Sequence, residues 1–156
     1  MENTPPKPIQ YQTEGKAKAP GPKVTPQKAQ NIRGKVMEAE DAKLSGELPV
    51  RSGNSGFSGT GYVDFGKGKQ SIEWSFNSNG NPQGELAIRY ALAGGNRPLQ
   101  LTVNGASQTI PFDSSDSWTK WKDWIVKVPF KKGTNVVRLT TLDASGGNID
   151  HLQVID

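Results

Sequence analysis

The feature that most constrains this fold is a regular alternation of apolar and polar residues in several short runs. Residues 71–76, 85–90 and 99–103 each place an apolar side chain at every second position. Successive side chains of a β-strand point to opposite faces, so each run predicts a strand with one buried face. No segment shows a sustained helical stripe, in which apolar residues recur about every 3.6 positions.

Turn-forming segments separate these and further short apolar runs. The 156 residues include 18 Gly and 11 Pro, and we interpret segments 79–82, 94–96 and 131–133 as turns. The dipeptide Asn104-Gly105 predicts a tight hairpin, because both residues accept positive φ. Eight or nine strands at this spacing predict an all-β protein, a β-sandwich of the jelly-roll type.

Residues 1–33 differ in composition from the rest of the chain. They hold six of the 11 prolines and lack apolar periodicity. We therefore predict a Pro/Lys-rich flexible linker over 1–33, which tethers a folded module over 34–156 to another domain. The alternatives are a natural disordered terminus or a remnant of cloning.

The net charge of +4 belongs to this linker. Residues 1–33 carry six Lys or Arg and two acidic residues, whereas the remainder carries thirteen of each sign. A domain that binds phosphates normally has a basic face of its own, so we expect no nucleic-acid partner.

The absence of cysteine and of long apolar runs limits the compartments and the partners that we expect for this chain. The chain has no cysteine, which excludes disulfides, thiol chemistry and Cys-ligated metals. No apolar run approaches the about 20 residues of a membrane span, so we expect no membrane partner. No apolar signal segment follows Met1. The chain is either cytosolic or a monomeric piece of a longer exported protein, and we expect the second.

Catalytic residues are scarce. The single histidine, His151, lies in a strand-like segment, and we interpret it as a surface or packed side chain. A glycosidase needs two carboxylates that face each other across a cleft. Asp113 and Asp116, close to Trp118, are the better enzymatic candidates, but a solvated loop is the preferred interpretation.

Acidic residues at the two ends of the domain form a candidate metal site. Glu38 and Glu40 are spaced i, i+2, and on one strand face they would repel each other unless a cation neutralised them. Calcium suits such oxygen ligands. Asp156 would add a third carboxylate if the first and last strands are neighbours. The alternative is two solvated glutamates, and the spacing alone does not decide between the two.

Loop aromatics form a candidate sugar site. Tyr62 follows the glycine-rich run 55–61, and Trp118 lies in a second loop, where a tryptophan is more often exposed. Exposed aromatic faces suit the C–H faces of pyranose rings. We expect Trp121 and Trp124 to belong to the core. Asn148 is either a turn residue before the last strand or a hydrogen-bonding amide at a binding rim.

These segments together resemble the carbohydrate-binding modules of families 6 and 35, over residues from about 35 to 156. The motifs that carry the resemblance are Glu38-Ala39-Glu40-Asp41-Ala42, Phe57-Ser58-Gly59-Thr60-Gly61-Tyr62-Val63-Asp64-Phe65, Leu86-Ala87-Ile88-Arg89-Tyr90-Ala91, Arg97-Pro98-Leu99-Gln100-Leu101-Thr102-Val103-Asn104-Gly105, Ser117-Trp118-Thr119-Lys120-Trp121 and Asn148-Ile149-Asp150-His151-Leu152. They occur in the family order, and the Ser58–Asp64 form is closer to family 35.

The resemblance implies a β-jelly-roll that carries a structural calcium ion and a glycan site in loops at one end. It assigns Glu38, Glu40 and Asp156 to the metal. The sugar-binding residues that it implies are Tyr62, Trp118 and Asn148. Phe57 stands where many relatives have tyrosine.

Such modules are usually noncatalytic parts of secreted enzymes that degrade plant cell walls. The resemblance therefore implies a polysaccharide ligand and a covalently linked catalytic domain. Known ligand classes are β-mannans, xylans, uronic acids and galactosides. We expect β-mannan, because the module has no net charge. The alternatives are a small hydrolase that uses Asp113 and Asp116, or a sandwich that binds protein.

Overall fold

The computed structural model describes residues 34–142 and 144–156, and the predicted linker over 1–33 lies outside this range. The described residues form eleven β-strands and one 3-10 turn. The strands are β1 (Lys35–Glu38), β2 (Lys43–Ser45), β3 (Val50–Arg51), β4 (Tyr62–Asp64), β5 (Ser71–Asn81), β6 (Glu85–Ala91), β7 (Leu99–Val103), β8 (Ala106–Ile110), β9 (Lys122–Lys127), β10 (Phe130–Thr141) and β11 (Asn148–Ile155). The 3-10 turn, Ala39–Asp41, follows β1. None of these residues forms a helix of the length and apolarity that crossing a bilayer requires.

The strands form two antiparallel sheets. A six-stranded sheet has the order β3-β4-β11-β6-β9, and β1 pairs with the C-terminal part of β11 on the side where β4 pairs with its N-terminal end. A five-stranded sheet has the order β2-β5-β10-β7-β8. The all-β jelly-roll sandwich predicted from the sequence is confirmed.

The apolar positions of the alternating runs form the core between the sheets. Ile72, Leu86, Ile88, Leu101 and Leu139 are fully buried, and each such side chain contributes about 1.5–3 kcal/mol relative to exposure.

Trp74 occupies one of the apolar positions of the 71–76 run and is 3% exposed. Its Nε1 donates a hydrogen bond to the backbone oxygen of Glu38 at 3.3 Å, which links the end of β1 to the opposite sheet.

One of the three predicted turns is wrong and another is displaced. The turn predicted over 79–82 begins at Pro82, because residues 79–81 lie within β5. Residues 131–133 lie within β10, where Lys132 pairs with Asn79. The rings of Phe76 and Phe130 pack edge to face at 5.0 Å and favour this extension of both strands. The predicted hairpin is confirmed, since Asn104 and Gly105 have φ of 51° and 88° between β7 and β8.

Two loop regions position the candidate sites. The 52–61 loop joins β3 to β4. The apical loops, residues 65–70, 92–98, 111–121 and 144–147, lie at the end of the sandwich where β4 and β6 end and β9 and β11 begin.

Candidate functional site

Two acidic residues near the start of the domain meet beside the 52–61 loop. Glu38 ends β1, but Glu40 lies in the 3-10 turn, so the two do not share a strand face as predicted. The turn still brings both carboxylates next to Gly59. A Cβ added at Gly59 would collide with Glu40 Oε2 and would lie 2.8 Å from Glu38 Cδ. Only glycine leaves room for both, and its φ of 65° also favours glycine.

A β-bulge adds a third carboxylate to this group. The register of β11 against β6 shifts between Ile149 and His151, which leaves Asp150 as the extra residue. The Asp150 carboxylate is fully buried and accepts hydrogen bonds from the Ser58 backbone N–H at 3.0 and 3.1 Å. His151 Nδ1 lies 2.8 Å from Ser58 Oγ. The bulge therefore aims two successive side chains at the same loop residue.

One guanidinium contacts this group, at Asp150. Arg89 Nε donates to Asp150 Oδ2 at 3.0 Å. With all three acids ionised, the group has a net charge of −2. Glu38, Asp150 and His151 each offer one donor atom, and these atoms lie within 4.8 Å of one another.

The electrostatics indicate a missing positive charge. Burial raises the pKa of Asp150 to about 7, although hydrogen bonds and the Arg89 charge oppose the shift. Burial also raises the pKa of Glu38, and the Glu40 charge adds to that effect. Burial, with Arg89, lowers the pKa of His151 to about 4, so the imidazole is neutral at pH 7.

An orphaned oxygen points to the same conclusion. Glu40 Oε1 is buried and has no hydrogen-bond partner among the described residues, whereas Glu40 Oε2 accepts from the Thr60 N–H at 2.9 Å. A buried oxygen without a partner is rare in folded proteins. A hard divalent cation such as Ca²⁺ would satisfy it, so this donor set fits calcium.

Asp156 does not join this group, which corrects the sequence-based ligand set. The β1–β11 register pairs Glu38 with His151 and Lys35 with Val154. Asp156 therefore lies beyond the opposite end of β1, about 17 Å from His151 at about 3.3 Å per residue. Asp150 supplies the third carboxylate instead.

The apical loops are anchored by a short polar network. Ser115 donates its backbone N–H to Leu92 O at 2.7 Å, and Leu92 N–H donates to Ser115 Oγ at 2.9 Å. The buried Tyr90 hydroxyl donates to Asp113 O at 2.8 Å. The 111–121 loop is thus held against the end of β6.

Trp118 lies on this anchored loop and is half-buried rather than fully exposed. The Arg97 guanidinium carbon lies 5.9 Å from the centroid of its ring, within the range of a cation–π contact. Arg97 Nη1 also donates to Ser145 Oγ at 3.0 Å and to Gly146 O at 3.3 Å. Arg97 therefore connects the tryptophan loop to the segment that precedes β11, a role that sequence reasoning missed.

Asn148 opens β11 beside this segment, opposite Asp64 and Ala91. It is only 4% exposed. Its side-chain amide offers both a donor and an acceptor beside this segment. A Cβ on the preceding Gly147 would lie 2.8 Å from Ala91 O, so glycine is needed for packing rather than for a turn.

Tyr62 is not an exposed platform, contrary to the prediction. It is 2% exposed, and its hydroxyl accepts a hydrogen bond from Asn54 N–H at 3.2 Å. Its ring packs between Phe57 and Trp121, with centroids 5.6 and 5.3 Å away. A ring flanked by two other rings has no face left for a sugar. Tyr62 instead stabilises the 52–61 loop.

Trp121 and Trp124 were expected in the core. Trp124 is partly buried against it. Trp121 is half-buried outside it, and its Nε1 donates to Ser55 O at 2.8 Å. Trp121 therefore fastens the 52–61 loop together with Tyr62.

Asp113 and Asp116, the alternative catalytic pair, are both exposed. Asp113 Oδ1 accepts a hydrogen bond from Asn96 Nδ2 at 2.9 Å, and its backbone oxygen holds Tyr90. Asp116 has a positive φ of 78° in the same loop. These contacts give Asp113 a role in holding the loop.

Comparison with known proteins adds structures with similar folds. A family 35 carbohydrate-binding module from Clostridium thermocellum is 31% identical, with a TM-score of 0.73, and the match covers 78% of this chain and 96% of that one. A CBM35 from Paenibacillus barcinonensis is 30% identical, with a TM-score of 0.72 and coverages of 79% and 99%. Xyl-CBM35, in complex with a disaccharide containing glucuronic acid, is 25% identical, with a TM-score of 0.65 and coverages of 78% and 92%.

Curated relatives are much longer than this chain. An exo-beta-D-glucosaminidase from Amycolatopsis orientalis is 30% identical over 74% of the chain, which spans 12% of the relative. A mannan endo-1,4-beta-mannosidase from Thermothelomyces thermophilus is 35% identical over 52% of the chain, which spans 17% of the relative. No protein-family model matches. The sandwich, its motifs and the near-complete coverage of solved modules show that this chain belongs to the family 35 carbohydrate-binding modules.

Proposed function

We propose that this module is noncatalytic and binds a plant cell-wall polysaccharide, β-mannan, at the apical loops. The observation that carries the proposal is the place of Asn148 at the start of β11, next to the segment that Arg97 joins to Trp118. An aromatic ring and a fixed amide are the two elements with which a protein holds a sugar ring and its hydroxyls.

The ligand class has two candidates. A mannosidase among the relatives and the equal numbers of acidic and basic residues in 34–156 support a neutral β-mannan. Arg97 supports a uronic acid, because its guanidinium contacts neutral acceptors and a ring among the described residues, and a guanidinium also binds carboxylates. The glucuronic acid ligand of Xyl-CBM35 supports the same candidate.

Isothermal titration with mannohexaose, aldotetraouronic acid and xylohexaose tests the function and separates the candidates. We expect Trp118→Ala and Asn148→Ala each to weaken binding about tenfold or more, since stacking and an amide hydrogen bond each contribute about 1–2 kcal/mol. Tyr62→Phe is the matched control, because it keeps the buried ring and removes only a hydroxyl. The absence of binding to all three sugars, or an equal loss in the control, would refute the proposed site.

We also propose that a structural calcium ion is held by Glu38, Glu40 and Asp150. The ion would neutralise the net charge of −2 and occupy the unused oxygen of Glu40. Ser58 and Gly59 contact these carboxylates, so the ion would fix the 52–61 loop to β1 and β11.

The relatives are several times longer than the chain, which supports a covalently linked catalytic domain in a secreted enzyme. In that arrangement the module raises the effective concentration of the catalytic domain at the polysaccharide surface. We propose that the module is monomeric, and size-exclusion chromatography with light scattering would measure this directly.

A further inference from the structure

The outward face of the five-stranded sheet has a polar depression of about 280 Å³. Its floor consists of side chains on β2, β5 and β10, and its wall includes Lys69 and Gln70 of the 65–70 loop. The carboxylate group and Asn148 both lie on the other sheet. This depression therefore belongs to neither of the groups described above.

The strand registers arrange the floor in two rows across the sheet. The first row is charged and runs Lys43–Glu73–Arg138. The second row carries hydroxyls and runs Ser45–Ser71–Thr140. Because alternate residues of a strand point to the same face, both rows point away from the core. The outward face thus carries a row of three charged side chains and, two residues along each strand, a row of three hydroxyl groups.

Positive charge exceeds negative charge in this depression. Arg138 Nη2 lies 2.7 Å from Glu73 Oε2, whereas Lys43 Nζ lies 4.0 Å from Glu73 Oε1. Lys69 has no ion-pair partner in the described part of the chain. Among the described residues that line the depression, three cations therefore share one carboxylate, a net charge of +2 in a module with equal numbers of both signs.

The donors in the depression are largely unused. A guanidinium has five N–H donors, and only Arg138 Nη2 is engaged within the described structure. Lys43 contacts Glu73 only at the limit of an ion pair, and Lys69 is unpaired there. These donors converge on a volume near the lower end of ligand pockets, which suits one sugar residue rather than a long chain.

We propose that this depression is a second saccharide site, which binds the anionic group of an acidic sugar, a carboxylate or a sulfate ester. Lys69 and Arg138 contact the anion, and the hydroxyls of Ser71 and Thr140 bond to neighbouring sugar hydroxyls. None of the described residues that line the depression is aromatic, so single-stranded nucleic acid would lack a stacking surface on them. The proposal does not depend on which polysaccharide the apical loops bind.

The test uses the full chain carrying Trp118→Ala, so that the apical site does not dominate the signal. Tri-galacturonate, galactose 6-sulfate and neutral mannotriose are titrated separately, in 1 mM calcium and at low salt, while backbone amide shifts are followed by NMR. We expect an anionic probe to shift Ser71 and Thr140. Lys69→Gln is expected to weaken that binding about fivefold, and Lys69→Gln with Arg138→Gln more than tenfold.

Lys127→Gln, on the edge strand of the other sheet, is the matched control for lost charge. Binding of tri-galacturonate alone would identify a carboxylate site, and binding of galactose 6-sulfate alone a sulfate-ester site. The proposal is overturned if neither anion shifts Ser71 and Thr140, if mannotriose shifts them equally, or if Lys127→Gln weakens binding as much as Lys69→Gln. The apical proposal stands or falls separately, because its variants leave Lys69 and Arg138 intact.

Discussion

Replacing Asp150 by asparagine separates the calcium site that we propose, with Asp150, from the one that the sequence predicted, with Asp156. Asp150→Asn keeps the shape of the side chain and one acceptor oxygen for Ser58 but removes one of three carboxylates. The net charge of the group falls from −2 to −1, so the group no longer balances a divalent cation. Asp156→Asn is the matched control, because Asp156 lies beyond the other end of β1.

The size of the effect follows from linkage between binding and folding. Calcium at about 1,000 times its Kd stabilises the folded module by about 4 kcal/mol. A hundredfold weaker site loses about 2.7 kcal/mol of this, which is roughly 10 °C in Tm for a domain of this size. We therefore expect a calcium-induced rise in Tm that falls by about 10 °C in Asp150→Asn and is unchanged in Asp156→Asn.

Differential scanning fluorimetry in 1 mM calcium and in EDTA measures both Tm values for each variant. Isothermal titration of calcium into the EDTA-treated, dialysed protein checks the affinity directly. An unchanged calcium response in Asp150→Asn, or a lost response in Asp156→Asn, would contradict the assignment. An equal Tm of the unmodified protein in calcium and in EDTA would refute the metal site itself.

The remaining predictions concern pH and two glycines. In EDTA, raising the pH from 6.5 to 8 should remove about 0.8 kcal/mol of stability through Asp150, because its pKa is about 7 when folded and 3.8 is its usual value, so the folded state holds the proton. His151 offsets about 0.4 kcal/mol of this, because its pKa falls from 6.5 to about 4 on folding and only the unfolded state loses a proton over this range. Excess calcium should abolish the Asp150 loss, and a flat or rising stability profile in EDTA would contradict this. Gly59→Ala should abolish the calcium response in fluorimetry, whereas Gly68→Ala, with a φ of 94° and open space around it, should cost only backbone strain; a retained response in the first variant would show that the carboxylates do not need this gap. Gly84→Ala should lower the free energy of unfolding by about 1–3 kcal/mol in urea, since its Cβ would overlap the Phe130 ring, and the same change at the unobstructed Gly94 should have little effect.

The local sequence pattern was sufficient to predict a strand where one face of that strand is buried. The strand at 99–103 and the Asn104-Gly105 hairpin were predicted correctly. Alternating burial and positive φ both depend on the types of residues that are adjacent in the sequence. The pattern failed at 79–81 and 131–133, where polar and glycine residues pair across β5 and β10. There the partner strand and the contact of Phe76 with Phe130 stabilise an extension that local propensity disfavours.

The candidate sites show the same division. Glu38 and Glu40 were placed near each other from spacing alone, although a 3-10 turn rather than a strand brings them together. Asp150 was part of the motif that begins at Asn148, but the direction of its side chain depends on the β-bulge between Ile149 and His151. Tyr62 was misassigned because a tyrosine after a glycine-rich loop has the same local pattern whether its ring is exposed or covered.

By itself the sequence determined the sandwich, the family and the residue types available for a sugar and a cation, because alternation, turns and motifs are local properties of the chain. Only the tertiary structure decided which carboxylates meet. The registry of β1 on β11 puts Asp156 at one end and Asp150 at the other, and that registry is set by packing across the sheet. It also decided that Tyr62 is covered rather than exposed, since burial depends on neighbours distant in the chain.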